Sequence, residues 1–175
     1  MKTFKQITFI FISVLLLNSC NQAEKLSQID IDTTLKKSIT VSSNGSGEIS
    51  QNIAFDLSEY SEVSPYLDKI KAVKINSAEY KIVSFSDINT VASGVLSVIS
   101  EDQTFGPFTH DNFLDDKNNQ TVYSLDDASK LNIIAAKIKN SKQFSATVSG
   151  NVVAEEAFTM VVEVVFDVRV TVQAL

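Results

Sequence analysis

The end of the chain alternates between apolar and polar residues over an unusually long stretch. Every even-numbered residue from Phe158 to Val172 is apolar, whereas the odd-numbered residues include Glu163, Asp167 and Arg169. Successive side chains of a β-strand point to opposite faces, so a period of two predicts one long strand with one buried face. The predicted buried face consists of Phe158, Met160, Val162, Val164, Phe166, Val168, Val170 and Val172.

Shorter segments carry the same alternation. Phe144, Ala146 and Val148 alternate just before the long strand and are followed by Gly150-Asn151, which predicts that the two segments form a hairpin. The outer face of the long strand is then expected to be covered by a helix or a second sheet. Residues 38–43 and 48–57 are separated by Asn44-Gly45-Ser46-Gly47, a cluster typical of a turn between paired antiparallel strands.

The middle of the chain predicts two more strands. Residues 73–85 alternate through Val73, Ile75, Tyr80 and Ile82 with a shift near Asn76-Ser77, which predicts a strand or a pair of strands bent at that point. Residues 91–99 are again apolar and strand-like, and Gly94 inside them indicates a bulge.

Two segments predict helices. Residues 128–138 place Ala128, Leu131, Ile134, Ala135 and Ile138 at helical spacing, after a capping box that begins at Ser124 and ends at Asp127. Residues 58–72 predict a shorter helix, with Ser64 as its N-cap and Pro65 at its first position.

Residues 100–120 are rich in Asp, Asn, Gly and Pro and predict a long irregular loop. Phe105, Phe108, Phe113 and Leu114 indicate that the loop packs against the body of the protein.

Strands adjacent in sequence and joined by short turns favour antiparallel sheets. The predicted fold is therefore a mainly β, antiparallel β-sandwich-like domain with two short helices in its connections. An α+β domain with both helices on one face of a single antiparallel sheet is the alternative.

Net charge excludes one class of partner. The chain carries a formal charge of −6, which becomes −8 without residues 1–19 because they contain two lysines and no acid. A nucleic-acid-binding protein needs a basic face for the phosphates, so nucleic acid is not an expected partner. The chain also lacks the clustered lysines and arginines that hold proteins on anionic lipid headgroups.

The start of the chain has the three zones of an export signal. Lys2 and Lys5 precede an apolar run over residues 7–17, and Asn18-Ser19-Cys20 follows it. The run is shorter than the roughly 20 apolar residues that a membrane-spanning helix needs. Leu17-Asn18-Ser19-Cys20 resembles the lipobox of bacterial lipoproteins, although Asn18 departs from the usual small or β-branched residue.

The resemblance implies that a dedicated peptidase cuts before Cys20 after diacylglycerol has been attached to its thiol. The expected organisation is a signal peptide over residues 1–19, the lipidated Cys20 with a tether to residue 35, and one β-rich domain over residues 36–175. Two or three acyl chains, such as palmitate, would anchor the protein stably, whereas one would not. Asn21 is not the aspartate that retains enteric lipoproteins at the inner membrane, so the resemblance favours the outer membrane.

Reactive groups are scarce in the remaining sequence. Cys20 is the only cysteine and His110 the only histidine. His110 lies beside Asp111, which could form an acid–base pair, but a loop histidine that titrates or caps the backbone is the simpler interpretation. No serine lies in a Gly-x-Ser-x-Gly motif. The sequence therefore predicts no enzyme, no catalytic residue and no cofactor.

Residues 111–119 offer oxygen ligands of the type that calcium prefers. Their spacing does not follow an EF-hand loop, and turn formation is the simpler explanation. The calcium candidates are Asp111, Asp115, Asp116 and Asn118.

Two functions follow as hypotheses. The first is a non-enzymatic lipoprotein of the cell envelope that binds a protein partner or has a structural role. The alternative is a carrier for a small apolar ligand or lipid, for which a closed cavity of about 300 Å³ or more would be expected.

Overall fold

A computed structural model describes residues 27–86 and 91–174 of the chain. The predicted signal peptide, the lipobox and Cys20 lie outside the described residues. The described part is mainly β and contains two α-helices and two 3₁₀ segments. The strands are β1 (Gln28–Ser43), β2 (Gly47–Asp56), β3 (Ile70–Phe85), β4 (Ala92–Ser100), β5 (Gln103–His110), β6 (Val122–Ser124), β7 (Gln143–Ala154) and β8 (Phe158–Gln173). The helices are α1 (Phe113–Asn119) and α2 (Ala128–Ser141), and the 3₁₀ segments are Leu57–Glu59 and Ser64–Lys69.

The strands form two four-stranded antiparallel sheets, which confirms the predicted β-sandwich. The first sheet has the order β1-β8-β3-β6 and the second has the order β2-β7-β4-β5. The chain therefore pairs β1 with β8, β2 with β7, β3 with β6, and β4 with β5. A long hairpin of this kind, folded over into two sheets, is the jelly-roll arrangement.

The long C-terminal strand predicted from the alternation is confirmed as β8. It lies between β1 and β3 and pairs with both along almost its whole length. All eight even-numbered residues from Phe158 to Val172 are buried, none of them more than 3% exposed. The expected helix or sheet over its outer face is wrong, because Val161 and Val165 stay half-buried among polar residues of β1 and β3.

Both predicted hairpins are wrong in their pairing. β7 and β8 belong to opposite sheets, and so do β1 and β2. The turns over residues 44–46 and 155–157 carry the chain across the sandwich instead of back along the same sheet. A period of two specifies which side chains face inward, but two strands in one sheet and two strands in facing sheets satisfy it equally well.

The predicted loop over residues 100–120 contains a strand and a helix, so that prediction is also wrong. β5 pairs with β4 and buries Phe105 and His110 on its inner side. The Asn112 side chain accepts a hydrogen bond from the backbone N–H of Leu114 and starts α1, which buries Phe113. Asp and Asn are typical of loops, but here one of them is a helix cap and others occupy the helix.

The predicted helix over residues 128–138 is confirmed as α2, with a different cap. Asp127 is the N-cap and accepts hydrogen bonds from the backbone N–H groups of Ser129 and Lys130. Ser124 instead ends β6. The predicted helix over residues 58–72 is formed only as 3₁₀ segments, and Ser64 is the first residue of one of them rather than a side-chain cap.

Details of β3, β4 and β1 refine the sequence predictions. The bend of β3 is confirmed between Ile75 and Ser77, where its register against β8 shifts. The bulge predicted at Gly94 is wrong; a Cβ there would lie 2.5 Å from the Asn151 carbonyl oxygen, so the glycine allows two strands to approach closely. The predicted tether is too long, because β1 begins at Gln28 and its pairing with β8 orders residues 28–35.

Aromatic rings fill the centre of the space between the two sheets. Phe55 of β2 stacks on Phe144 of β7 with ring centroids 4.7 Å apart. Phe166 of β8 meets both rings edge-on, at 5.5 Å and 5.1 Å. This trio joins the two sheets because two of its rings belong to one sheet and the third to the other.

Replacing Phe166 with Ala is expected to lower the free energy of unfolding by about 3–5 kcal/mol, because it removes a buried ring and leaves a cavity. Urea denaturation followed by circular dichroism measures the change. Ile133→Ala on the exposed side of α2 is the matched control, since Ile133 is 48% exposed, and its effect should be small. Equal losses in the two variants would contradict the central role of the ring trio.

Candidate functional site

Four polar side chains meet in the interior around His110. The hydroxyl of Tyr80 lies 2.8 Å from His110 Nε2, and His110 Nδ1 lies 2.7 Å from Asp116 Oδ2. The hydroxyl of Tyr123 donates to the same Asp116 oxygen at 3.0 Å. His110 is 1% exposed and Tyr80 is fully buried. We call these four residues the His110 cluster.

Four different elements supply the cluster. Tyr80 lies on the inner face of β3, and Tyr123 lies opposite it on β6 with the two rings stacked at 5.0 Å. His110 is the last residue of β5. Asp116 lies on α1 one turn after its Asn112 cap, and the backbone N–H of Asp116 bonds to the Asn112 carbonyl. The cluster therefore holds α1 and the short strand β6 against the body of the sandwich.

Burial decides the protonation states in the cluster. Removal from water lowers the pKa of His110 and outweighs the Asp116 carboxylate, which acts in the opposite direction. A neutral imidazole beside a carboxylate donates from Nδ1 to Asp116, so its Nε2 accepts the hydrogen bond of the Tyr80 hydroxyl. Burial also raises the pKa values of Tyr80 and Tyr123, which keeps both phenols protonated.

A hydroxyl, an imidazole and a carboxylate in line resemble a nucleophile, a base and an orienting group. In this cluster, however, the hydroxyl belongs to a tyrosine that is fully buried and whose pKa is raised. A substrate atom has no access to that oxygen. The arrangement therefore serves to satisfy buried polar groups and to fix the positions of the surrounding elements.

The acid partner of His110 differs from the one considered from the sequence. Asp111 follows His110 directly, but the hydrogen bond is made by Asp116 from the next helix. The sequence neighbours His110 and Asp111 therefore predicted the wrong carboxylate as the partner of the imidazole. Asp116 carries no sequence signal of its own, because its position depends on α1 packing beside β3.

The calcium candidates are not brought together. Asp116 is engaged by His110 and Tyr123, whereas Asp111, Asp115 and Asn118 are exposed. Neighbouring positions on a helix point about 100° apart, which separates Asp115 from Asp116. Within residues 27–86 and 91–174, no three His, Cys, Asp or Glu side chains are grouped so that they could hold a metal ion.

A second buried titratable group was missed by the sequence analysis. Glu163 lies on the outer face of β8 but is only 7% exposed, because Lys36 of β1 and Lys81 of β3 flank it. The two lysine Nζ atoms lie 2.9 Å and 3.1 Å from its carboxylate oxygens. Burial acts to raise the pKa of Glu163, but the hydrogen bonds and charges of the two lysines outweigh it and lower the pKa.

Neither α-helix in the described part of the chain is long and apolar enough to cross a membrane.

Comparisons with known proteins give structural similarity only. No protein-family model matches the chain, and no curated protein matches it. A decameric BFDV capsid protein is similar in structure at 10% identity and a TM-score of 0.43, over 81% of this chain and 99% of that one. The acid-stable capsid of Helicobacter pylori bacteriophage KHP30 is similar at 12% identity and a TM-score of 0.31, over 80% of this chain and 92% of that one.

The His110 cluster makes stability depend on pH. Because the pKa of His110 in the folded protein lies below its ordinary value of 6.5, the unfolded chain takes up the proton first. The contribution of neutral His110 to stability is complete above pH 6.5 and is lost as the pH falls below 6.5. The free energy of unfolding decreases by at most about 1.4 kcal/mol per pH unit. Urea midpoints between pH 7.5 and 5 (~0.5-unit steps) measure this slope.

The variant His110→Gln should flatten that slope, because glutamine does not titrate. Asp116→Asn should extend the slope to lower pH without changing the pH at which it begins, because it removes a carboxylate that favours the protonated imidazole in the folded protein only. An unchanged slope in His110→Gln would contradict the assignment.

Replacing Glu163 with Gln should destabilise the protein by about 1–2 kcal/mol, because it leaves Lys36 and Lys81 without their shared counter-ion in a partly solvated setting. Glu62→Gln, at an exposed position, is the control. Since the pKa of Glu163 is lowered, the difference between wild type and variant should be present above its ordinary value of 4.5 and shrink as the pH falls further. A difference that stays constant down to pH 3 (~1.5 units below that value) would contradict the ion-pair explanation.

Proposed function

We propose that this protein is a lipid-anchored, non-enzymatic lipoprotein of the cell envelope whose β-sandwich binds a protein partner or has a structural role. The observation that carries the proposal is the position of Cys20. The only cysteine of the chain follows directly after the basic, apolar and small-residue zones of an export signal. Acylation of its thiol would hold the protein at the membrane, with the outer membrane as the favoured location.

The chain geometry suits an anchored domain. β1 begins at Gln28, so the segment from Cys20 to Gln28 spans at most about 25–30 Å when extended. The sandwich would therefore stay close to the bilayer surface, with the start of β1 as its nearest end. The net negative charge offers no electrostatic adhesion to anionic headgroups, so the lipid itself would be the anchor.

The interior favours a binding or structural role over a carrier. The space between the sheets is filled by side chains from both sheets, including the ring trio of Phe55, Phe144 and Phe166. A depression of about 550 Å³ is open to solvent and lined by polar groups, among them Asp32, Glu62 and Arg169. Such a surface does not suit an apolar ligand or lipid.

The His110 cluster supports a non-enzymatic role. Among the described residues, this cluster has the groups that most resemble a catalytic site. Its imidazole and the Tyr80 hydroxyl are buried, so a substrate cannot reach them. Its contacts join elements of the fold instead.

Replacing Cys20 with Ser should abolish membrane anchoring and processing, because a hydroxyl cannot take the place of the thiol that is acylated. Wild type should remain in the membrane fraction after a high-salt and an alkaline wash, and mass spectrometry should find an acylated Cys20 at its N-terminus. Ser19→Ala is the matched control, since it keeps a small residue before the cysteine. An intact, unmodified segment of residues 1–19 in wild type, or unchanged fractionation of Cys20→Ser, would overturn the proposal.

A further inference from the structure

Three exposed valines form one apolar patch on the outer face of the second sheet. Val91, Val95 and Val153 are 69%, 40% and 62% exposed. Ser93 of β4 lies directly opposite Val153 of β7, and Val95 lies two residues further along the same face of β4. Val91 directly precedes β4 and lines one groove with Ser93 and Val153. Opposite and diagonal neighbours on one sheet face lie within about 8 Å, so the three valines surround Ser93 as a continuous surface.

A groove of about 410 Å³ continues from this patch at the end of the sandwich. Ser46, Ser93, Val91, Val153 and Ala154 line it, together with the acidic pair Glu155-Glu156. Ser46 donates to the Ala154 carbonyl and accepts from the Ala154 N–H, which fixes one wall of the groove to the end of β7. Apolar side chains and two carboxylates therefore line the same groove. We call the three valines and this groove the valine groove.

The two acids differ from those on the opposite sheet. On the outer face of the first sheet, Asp32 is paired with Arg169, and Glu163 is paired with two lysines. Glu155 and Glu156 are exposed, and the structure shows no ion pair for either of them among the described residues. Their charges remain available to a partner.

We infer that the valine groove binds an extended, basic segment of a partner protein, with an aliphatic side chain on Val91 and Val153 and a Lys or Arg on the same side of the segment paired with Glu155 and Glu156. This inference rests on the proposed function, for which it identifies the binding surface. Charge complementarity selects the partner, because an apolar contact edged by unpaired carboxylates attracts a cationic segment. A second copy of the chain is disfavoured, since a two-fold contact here would bring the acids of both copies together.

The location of the groove agrees with a lipid anchor at the other end. β1 runs from Gln28 to Ser43, a distance of about 50 Å for an extended strand. The groove lies beside the turn that follows β1, because Ser46 is one of its walls. An anchored protein would therefore present the groove on the side that faces away from its membrane.

The test uses the full chain in detergent, isotopically labelled, and the peptide Gly-Val-Ser-Val-Ser-Lys-Ser-Lys-Gly, which places its valines and lysines on one side when extended. Matched peptides replace both valines with serine or both lysines with glutamate. The expected result is a set of amide shift changes confined to Val91, Ser93, Val153 and the acidic pair, with only the first peptide. The double variant Glu155→Lys, Glu156→Lys and the variant Val153→Ser should each weaken binding about tenfold or more. Ile133→Ser, at an exposed apolar position on α2, should leave it unchanged.

Other outcomes overturn the inference. Equal binding of the glutamate peptide, or binding that survives Val153→Ser, would exclude this site. Concentration-dependent sedimentation of wild type that Val153→Ser abolishes would assign the patch to a second copy instead. Detergent replaces the membrane in this assay, so the two proposals are tested separately. A failure of peptide binding would count against the valine groove and not against acylation of Cys20. A failure of acylation would count against the lipid anchor and not against the binding result.

Discussion

The whole fold depends on the insertion of β8 between β1 and β3. These two strands are neighbours in the first sheet only through β8, whose apolar face also closes the core over the second sheet. β1 is the first and β8 the last strand of the described residues, so the first sheet is completed only when these two distant segments come together. The nested pairing of β1 with β8 and β2 with β7 makes most contacts distant in sequence, which is the kind of topology that folds slowly.

One short segment of β3 contributes a residue to the His110 cluster and another to the ion pairs of Glu163. Tyr80 points inward and bonds to His110, whereas the next residue, Lys81, points outward and pairs with Glu163 of β8. Because successive side chains of a strand point to opposite faces, the neighbours Tyr80 and Lys81 lie in two different electrostatic environments. On the inner side burial keeps an imidazole neutral, and on the outer side two cations keep a carboxylate charged.

Three local patterns in the sequence predicted the structure correctly. The alternation of β8, the bend of β3 and the apolar stripe of α2 each depend on neighbouring residues, and each is present. Strand partners could not be predicted, because β7 presents the same inward face whether it pairs with β8 or faces it across the core. The His110 cluster was missed for a related reason: its residues come from β3, β5, α1 and β6, and only the folded topology brings them together.

The same topology gives the sandwich two unlike ends. The first strand starts at one end, where the last strand finishes and Gln28 lies opposite Gln173. The turns after β1 and β7 meet at the other end, where Ser46 bonds to Ala154. In the proposed orientation a lipid at Cys20 restrains the first end, and the connecting turns of the second end are the parts free to vary without disturbing strand pairing. In that orientation the valine groove and the membrane attachment would lie beyond opposite ends of β1, which is about 50 Å long.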